Sequence, residues 1–246
     1  MIDFNLDEID ELQMYFGEDY IINDKIKIHQ PLIGEIIDYG ERSYFSTIHT
    51  ICAIPSDVKS QLWDLGIDWN EIESFDLFIL FSQTLTLDQT SLIFGDLDFQ
   101  KLKPYPNQAN GEVVLADKET GVIIDKLIYL RIVNYIRKLH GIVPKPEKAK
   151  GKMAKKAMID EDRRNIEFNQ NKPYKSYLMP LISAVKVKQK YTKEYIRNMG
   201  IKEFFDDLAR ISIIDTSSYL MMGSYCGMAD LSKVPRKEFN WLRELD

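Results

Sequence analysis

Over most of this chain apolar residues recur at three- and four-residue spacing, the period of a helix buried along one face; at two places the rhythm gives way to short apolar runs around a polar turn. This restricts the fold to helices with a small amount of antiparallel sheet. Residues 20–28 alternate about Asn23 and Asp24. Residues 111–125 set Val113, Val114 and Leu115 against Val122, Ile123 and Ile124 across a polar turn ending in Gly121. Both stretches have the composition of a hairpin. The expected class is α+β, predominantly helical, with two small β-hairpins and a helical C-terminal part.

The helical stretches carry their own start and stop signals. Leu12, Tyr15 and Phe16 interrupt an acidic N-terminal stretch at helical spacing and predict a short helix. Behind Pro31, the residues Leu32, Ile33, Ile36 and Ile37 predict a helix that ends near Gly40, and residues 41–52 continue as a second. Ser56 and Asp57 are suited to cap a third, with Val58, Leu62 and Trp63 on its apolar face and Gly66 as its stop. Asp68 is placed to cap a segment running from Trp69 to Phe81, apolar enough to require burial. Asp125 opens an amphipathic helix that closes at Gly141, with Arg137, Lys138 and His140 favourably set against its dipole. Farther on, helical segments are expected near 153–168, 175–188, 193–199, 201–212, 214–224 and 235–243, with breaks at Gly200, Asp215 and 223–227.

Residues 142–156 contain two prolines, Gly151 and the six lysines Lys145, Lys148, Lys150, Lys152, Lys155 and Lys156, relieved only by Glu147. Such a stretch reads as a mobile linker. It suggests an acidic α+β domain at 1–141, a linker at 142–152 and a helical domain at 153–246; a long loop inside one continuous domain fits the same composition. Charge divides the chain in a similar way. The first hundred residues hold 20 acidic and 4 basic side chains, a net −16, and the remainder holds 28 basic and 18 acidic, a net +10, which the overall −6 conceals. Charge asymmetry of this kind acts on association more than on fold.

With 45% hydrophobic residues the chain can bury a real core. Cys52 and Cys226 lie far apart without metal-ligand neighbours, so neither a disulfide framework nor a zinc site is expected, and a reducing compartment is. The acidic N-terminus lacks the positive start of a secretory signal, and no apolar run approaches the roughly 20 residues of a membrane span. A soluble cytosolic protein is the expectation.

Enzymatic chemistry finds little support. His29, His49 and His140 stand in no recognised catalytic arrangement, and no nucleophile-elbow, metalloprotease or phosphate-loop pattern occurs. Asp96 and Asp98 lack the later Glu of a calcium loop, and residues 160–164 read as a salt-bridged helix surface. No cofactor, metal or catalytic residue is expected. The lysines at 145–156 form a candidate electrostatic contact, either for a phosphate backbone or for an acidic protein partner such as the N-terminal segment of a neighbouring copy. No aromatic residue lies between Tyr135 and Phe168 to add base stacking. Tyr219, Met221, Met222, Tyr225 and Met228 gather thioethers and rings beside small residues. They form a candidate partner-binding surface, or else a core helix with Gly223 and Gly227 allowing close approach.

Taken together, the runs IHQPLIGEIIDYGE, LWDLGIDWNEIESFDLFILF, FGDLDF, IDEDRR and MMGSYCGMADLSKVPRKEFNWL resemble a family of uncharacterised proteins of tailed bacteriophages that infect Gram-positive bacteria, over most of the chain. Members are found among virion morphogenesis genes, and some resemble baseplate-hub or tail assembly chaperones. The resemblance implies a non-enzymatic viral structural or assembly protein, a tail or baseplate chaperone or component, in the host cytoplasm or retained in the virion. Its implied partner is a phage tail or tape-measure protein, with a homo-oligomer as a further option. The alternative, from the residues themselves, is a nucleic-acid-associated protein that uses the Lys-rich segment.

Overall fold

In the computed structural model of the protein, which describes residues 9–107, 111–170, 172–227, 232 and 234–245, side-chain caps mark many of the expected element starts. Asp10 Oδ1 accepts from the amides of Leu12 and Gln13 and opens α1 (Glu11–Tyr15). Asn23 Oδ1 accepts from the amides of Lys25 and Ile26 at 2.9 Å, closing the turn between β1 (Tyr20–Ile21) and β2 (Lys27–Ile28). Glu35 reaches back to the Leu32 amide at 2.7 Å and starts α2 (Ile33–Tyr39), which Gly40 joins to α3 (Glu41–Cys52). A 3₁₀ turn at Pro55–Asp57 leads into α4 (Lys59–Asp64).

Two elements went unread in the sequence, and one began later than expected. Asp68 caps a turn, accepting from the Asn70 amide at 3.0 Å, and the helix itself, α5, runs over Ser74–Ser82. α6 (Leu87–Phe94) starts at a capping box in which Gln89 accepts from the Thr86 amide at 3.0 Å. The second sheet has three strands in the order β3 (Lys103–Pro106), β4 (Val113–Asp117), β5 (Val122–Ile124), all antiparallel. β3 carries Pro104 and Pro106, which an edge strand tolerates because its outward amides need no partner. The two expected hairpins are therefore present, the second enlarged by one strand.

Asp125 accepts from the Ile128 amide at 2.8 Å and begins α7 (Lys126–His140). Gly141 ends it in the left-handed conformation at φ +62°, which costs glycine nothing sterically. The regular elements that follow are helical: α8 (Lys152–Gln170), α9 (Leu178–Gln189), α10 (Lys193–Arg197) and α11 (Ile201–Tyr225), and at 235–243, where a helix was expected, the chain makes a short 3₁₀ turn at Arg236–Phe239. α11 runs unbroken through Asp215, where a break was expected. Lys188 Nζ holds both carboxylate oxygens of Asp215 at 2.7 Å, so its side chain does not compete for the local backbone. The protein is thus α+β and mostly helical, with two small antiparallel sheets.

A single apolar cluster draws Met14, Ile28, Ile36, Tyr44, Phe78, Leu115 and Ile132 together with Leu178, Val185, Met199 and Phe204, from both sides of the Lys-rich stretch. Backbone bonds reinforce the junction. The Ile33 amide donates to Met199 O at 2.9 Å and the Ile201 amide donates to Pro31 O at 3.1 Å. This junction fixes where α11 leaves the core.

Candidate interaction surface

α11 changes character along its length. Its first half buries Ile201 and Phe204 completely, and Phe205, Leu208 and Ile211 pack against the main apolar cluster. Beyond Ile211 the sequence keeps its apolar residues but the core no longer covers all of them. Ile214 is 36% exposed, Met221 42%, Met222 62%, Tyr219 68% and Tyr225 84%. No residue of 216–227 carries a charge, and within that run Ser217 is the one that is buried. Four of the expected partner-binding residues, Tyr219, Met221, Met222 and Tyr225, therefore share an open helix surface and do not pack in a core. Met228 lies outside the described residues.

The C-terminal segment folds back along this helix. Ser217 Oγ donates to Glu238 O at 2.7 Å, and Arg210 Nη1 donates to the carbonyls of Trp241 (2.9 Å) and Arg243 (2.7 Å). Arg243 in turn pairs with Glu238 at 2.8 Å. This fastening leaves Trp241 51% and Leu242 68% exposed beside the helix. Ile214, Ser218, Trp241 and Leu242 belong to the surface without having been read from sequence. The absence of charge over about three helical turns was the signal available.

At the root of α11, carboxylates crowd together. Burial and the neighbouring Asp207 raise the Glu203 carboxyl above its ordinary range, and burial chiefly raises Asp207, whose Oδ2 accepts from the Tyr191 hydroxyl at 3.2 Å. Burial and Asp207 also push the Tyr191 phenol up to about 12.

The lysines stand elsewhere. Lys145, Lys148, Lys150, Lys152 and Lys156 are exposed, whereas Lys155 is bound to Asp68, whose carboxyl it holds below the usual range. The irregular stretch is pinned at Ala149, which exchanges two 3.1 Å hydrogen bonds with the Asn70 amide group. Just beyond it, Asp162 of α8 accepts from the Ser60 amide (3.0 Å) and hydroxyl (2.6 Å) of α4. The two sign-opposed parts of the chain also meet in Lys138–Glu11 (2.7 Å), Arg197–Asp38 (2.6 Å), Lys126–Glu73 (2.5 Å) and Arg163–Asp64. A share of the charge asymmetry is thus neutralised within one molecule.

A further gathering of ionisable groups adjoins a cleft of about 300 Å³ lined by Lys27, His29, Glu35 and residues 91–95. His29 Nδ1 lies 2.7 Å from Asp19 and Nε2 lies 3.3 Å from Glu35, while Lys27 binds Asp19 at 2.9 Å. Both ring nitrogens are occupied, so neither is presented to the cleft as a base. Among the described residues no group of three or more His, Cys, Asp or Glu side chains is arranged to hold a metal ion, and no helix is long and apolar enough to cross a membrane. Comparison of the chain with protein-family models, with curated proteins and with solved structures finds no match in any of the three.

Proposed function

We propose that this protein is a non-enzymatic assembly factor that works through a protein contact on the second half of α11. The observation that carries this reading is the exposed, charge-free run at 216–227 with its Tyr and Met side chains. Interface cores are depleted in charge and enriched in Tyr, Trp and Met, and thioethers adapt to varied apolar partners. Trp241 and Leu242 enlarge the same surface. The resemblance to phage morphogenesis proteins supplies the setting: the client is a tail, baseplate or tape-measure component whose apolar helix is shielded until assembly.

The test is capture of purified, identified tail and tape-measure components by the immobilised chain. The wild type is expected to retain one of them, and Met221→Glu with Tyr225→Glu to release it while keeping native circular dichroism. Retention by both chains, or by neither, would refute the reading. The exposed lysines of 145–156 support a second reading, weak binding to a phosphate backbone. It requires a gel shift that fades steeply with salt, and an unshifted band at low salt excludes it.

A further inference from the structure

We infer that, before a client arrives, the open face of α11 is covered by a second copy of this chain, with the two α11 helices antiparallel about a two-fold axis. The inference rests on the reading of α11 as a docking surface and names its resting occupant. Ile214, Ser218, Met221 and Tyr225 follow intervals of four, three and four residues, the spacing of a single coiled-coil seam. All four are exposed.

Their order matches itself in reverse. In an antiparallel pair centred between Tyr219 and Leu220, Ile214 faces Tyr225 of the partner subunit, and Ser218 faces Met221 of the partner subunit. Each large side chain then meets a smaller one, the arrangement that fills an interhelical layer without voids. A parallel pair would instead set serine against serine and tyrosine against tyrosine, leaving one layer empty and one overfilled. Opposed helix dipoles also favour the antiparallel arrangement.

Charge selects the same occupant. A partner bringing ionised groups to this face would desolvate them against residues that offer no counter-charge, which is costly. A surface equally free of charge avoids that cost, and the run at 216–227 is such a surface, the Asp215 beside Ile214 being already paired with Lys188. The two net −6 copies repel weakly elsewhere, so raising the salt concentration leaves the dimer intact or strengthens it, opposite to an assembly held by the acidic and basic parts of the chain.

Sedimentation of the purified full chain at low and high salt is the test. A dimer is expected at both, with a dissociation constant weakened by on the order of 30-fold or more in Tyr225→Glu. A second measurement fixes the geometry. With Cys226→Ser as background, copies carrying Ile214→Cys and copies carrying Tyr225→Cys should form a disulfide only when mixed. Like residues lie about 16 Å apart along the helix axis, beyond disulfide reach.

A folded monomer, or cross-links within a single variant population, overturns the proposal. A monomer that still captures a tail component removes the self-pairing and leaves the docking surface standing. A dimer that captures none keeps the self-pairing and removes the client, while a monomer that captures none removes both.

Discussion

The Tyr44 hydroxyl meets Nε2 of His140 at 2.7 Å, while Nδ1 of the same ring lies 2.7 Å from Ile136 O. A carbonyl only accepts, so Nδ1 carries the proton and Nε2 accepts from Tyr44, which is 1% exposed. The pair ties α3 to α7 in the main core. It satisfies both nitrogens of a neutral imidazole, and the charged form would be buried without a counter-charge in this pair.

Burial accordingly pushes the His140 imidazole down to about 4. A histidine whose folded value lies below its unfolded one contributes stability that is complete above about pH 6.5 and is lost as pH falls toward 4. Urea unfolding across that window should show stability declining by up to about 3 kcal/mol. His140→Asn should flatten that part of the slope. Tyr44→Phe, which leaves Nε2 without its donor, should cost about 1–3 kcal/mol at neutral pH.

Glu203 and Asp207 behave in the opposite sense. Their folded values are raised, so their ionised forms oppose folding at neutral pH, and acidification through the carboxylate range relieves them. Asp207→Asn keeps an acceptor for Tyr191 and removes the like charge one helical turn from Glu203. It should raise the thermal midpoint, with a gain of about 0.3–0.5 kcal/mol. An unchanged or lower midpoint would contradict the crowding seen at the root of α11.

Gly34 lies where α2 crosses the α10 end, and a Cβ built there would sit 2.8 Å from Arg197 O and 3.3 Å from Arg197 Cβ. Backbone cannot step aside as a flexible side chain can. Gly34→Ala should therefore destabilise the protein by about 1–3 kcal/mol despite alanine's better helix propensity. Denaturant midpoints read the difference directly.

α8 separates two kinds of attachment. Ile159 is its one buried residue among those described, and Lys155 and Arg163 bind Asp68 and Asp64 from the surface. Ile159→Ala should cost about 2–5 kcal/mol, whereas Arg163→Ala should cost less than about 1 kcal/mol because exposed ion pairs are weak. If salt rather than Ile159 controlled hydrogen-exchange protection in α8, this ranking would be reversed.

Particular residues show why some elements were legible and others were not. Asp125, the apolar stripe from Leu127 to Leu139 and Gly141 define α7 locally, and the structure follows them closely. β3 was hidden because Pro104 and Pro106 are poor strand residues; pairing with Leu115 and Val113 makes the strand. Asp215 resembled a break until Lys188, 27 residues earlier, supplied its partner. For the candidate surface, sequence named Tyr219, Met221, Met222 and Tyr225 but left open whether they face a core or solvent. Their exposure depends on where the core stops covering α11.

The chain by itself determined the mostly helical class, the two hairpins and many of the caps, because hydrophobic period, capping oxygens and glycine φ are properties of a few neighbouring residues. Tertiary structure alone decided that residues from both sides of the Lys-rich stretch share one apolar cluster, that opposite charges pair across it, and that the Met and Tyr end of α11 stays uncovered. Burial and ion pairing are set by residues distant in sequence, and no local pattern encodes which of them arrive.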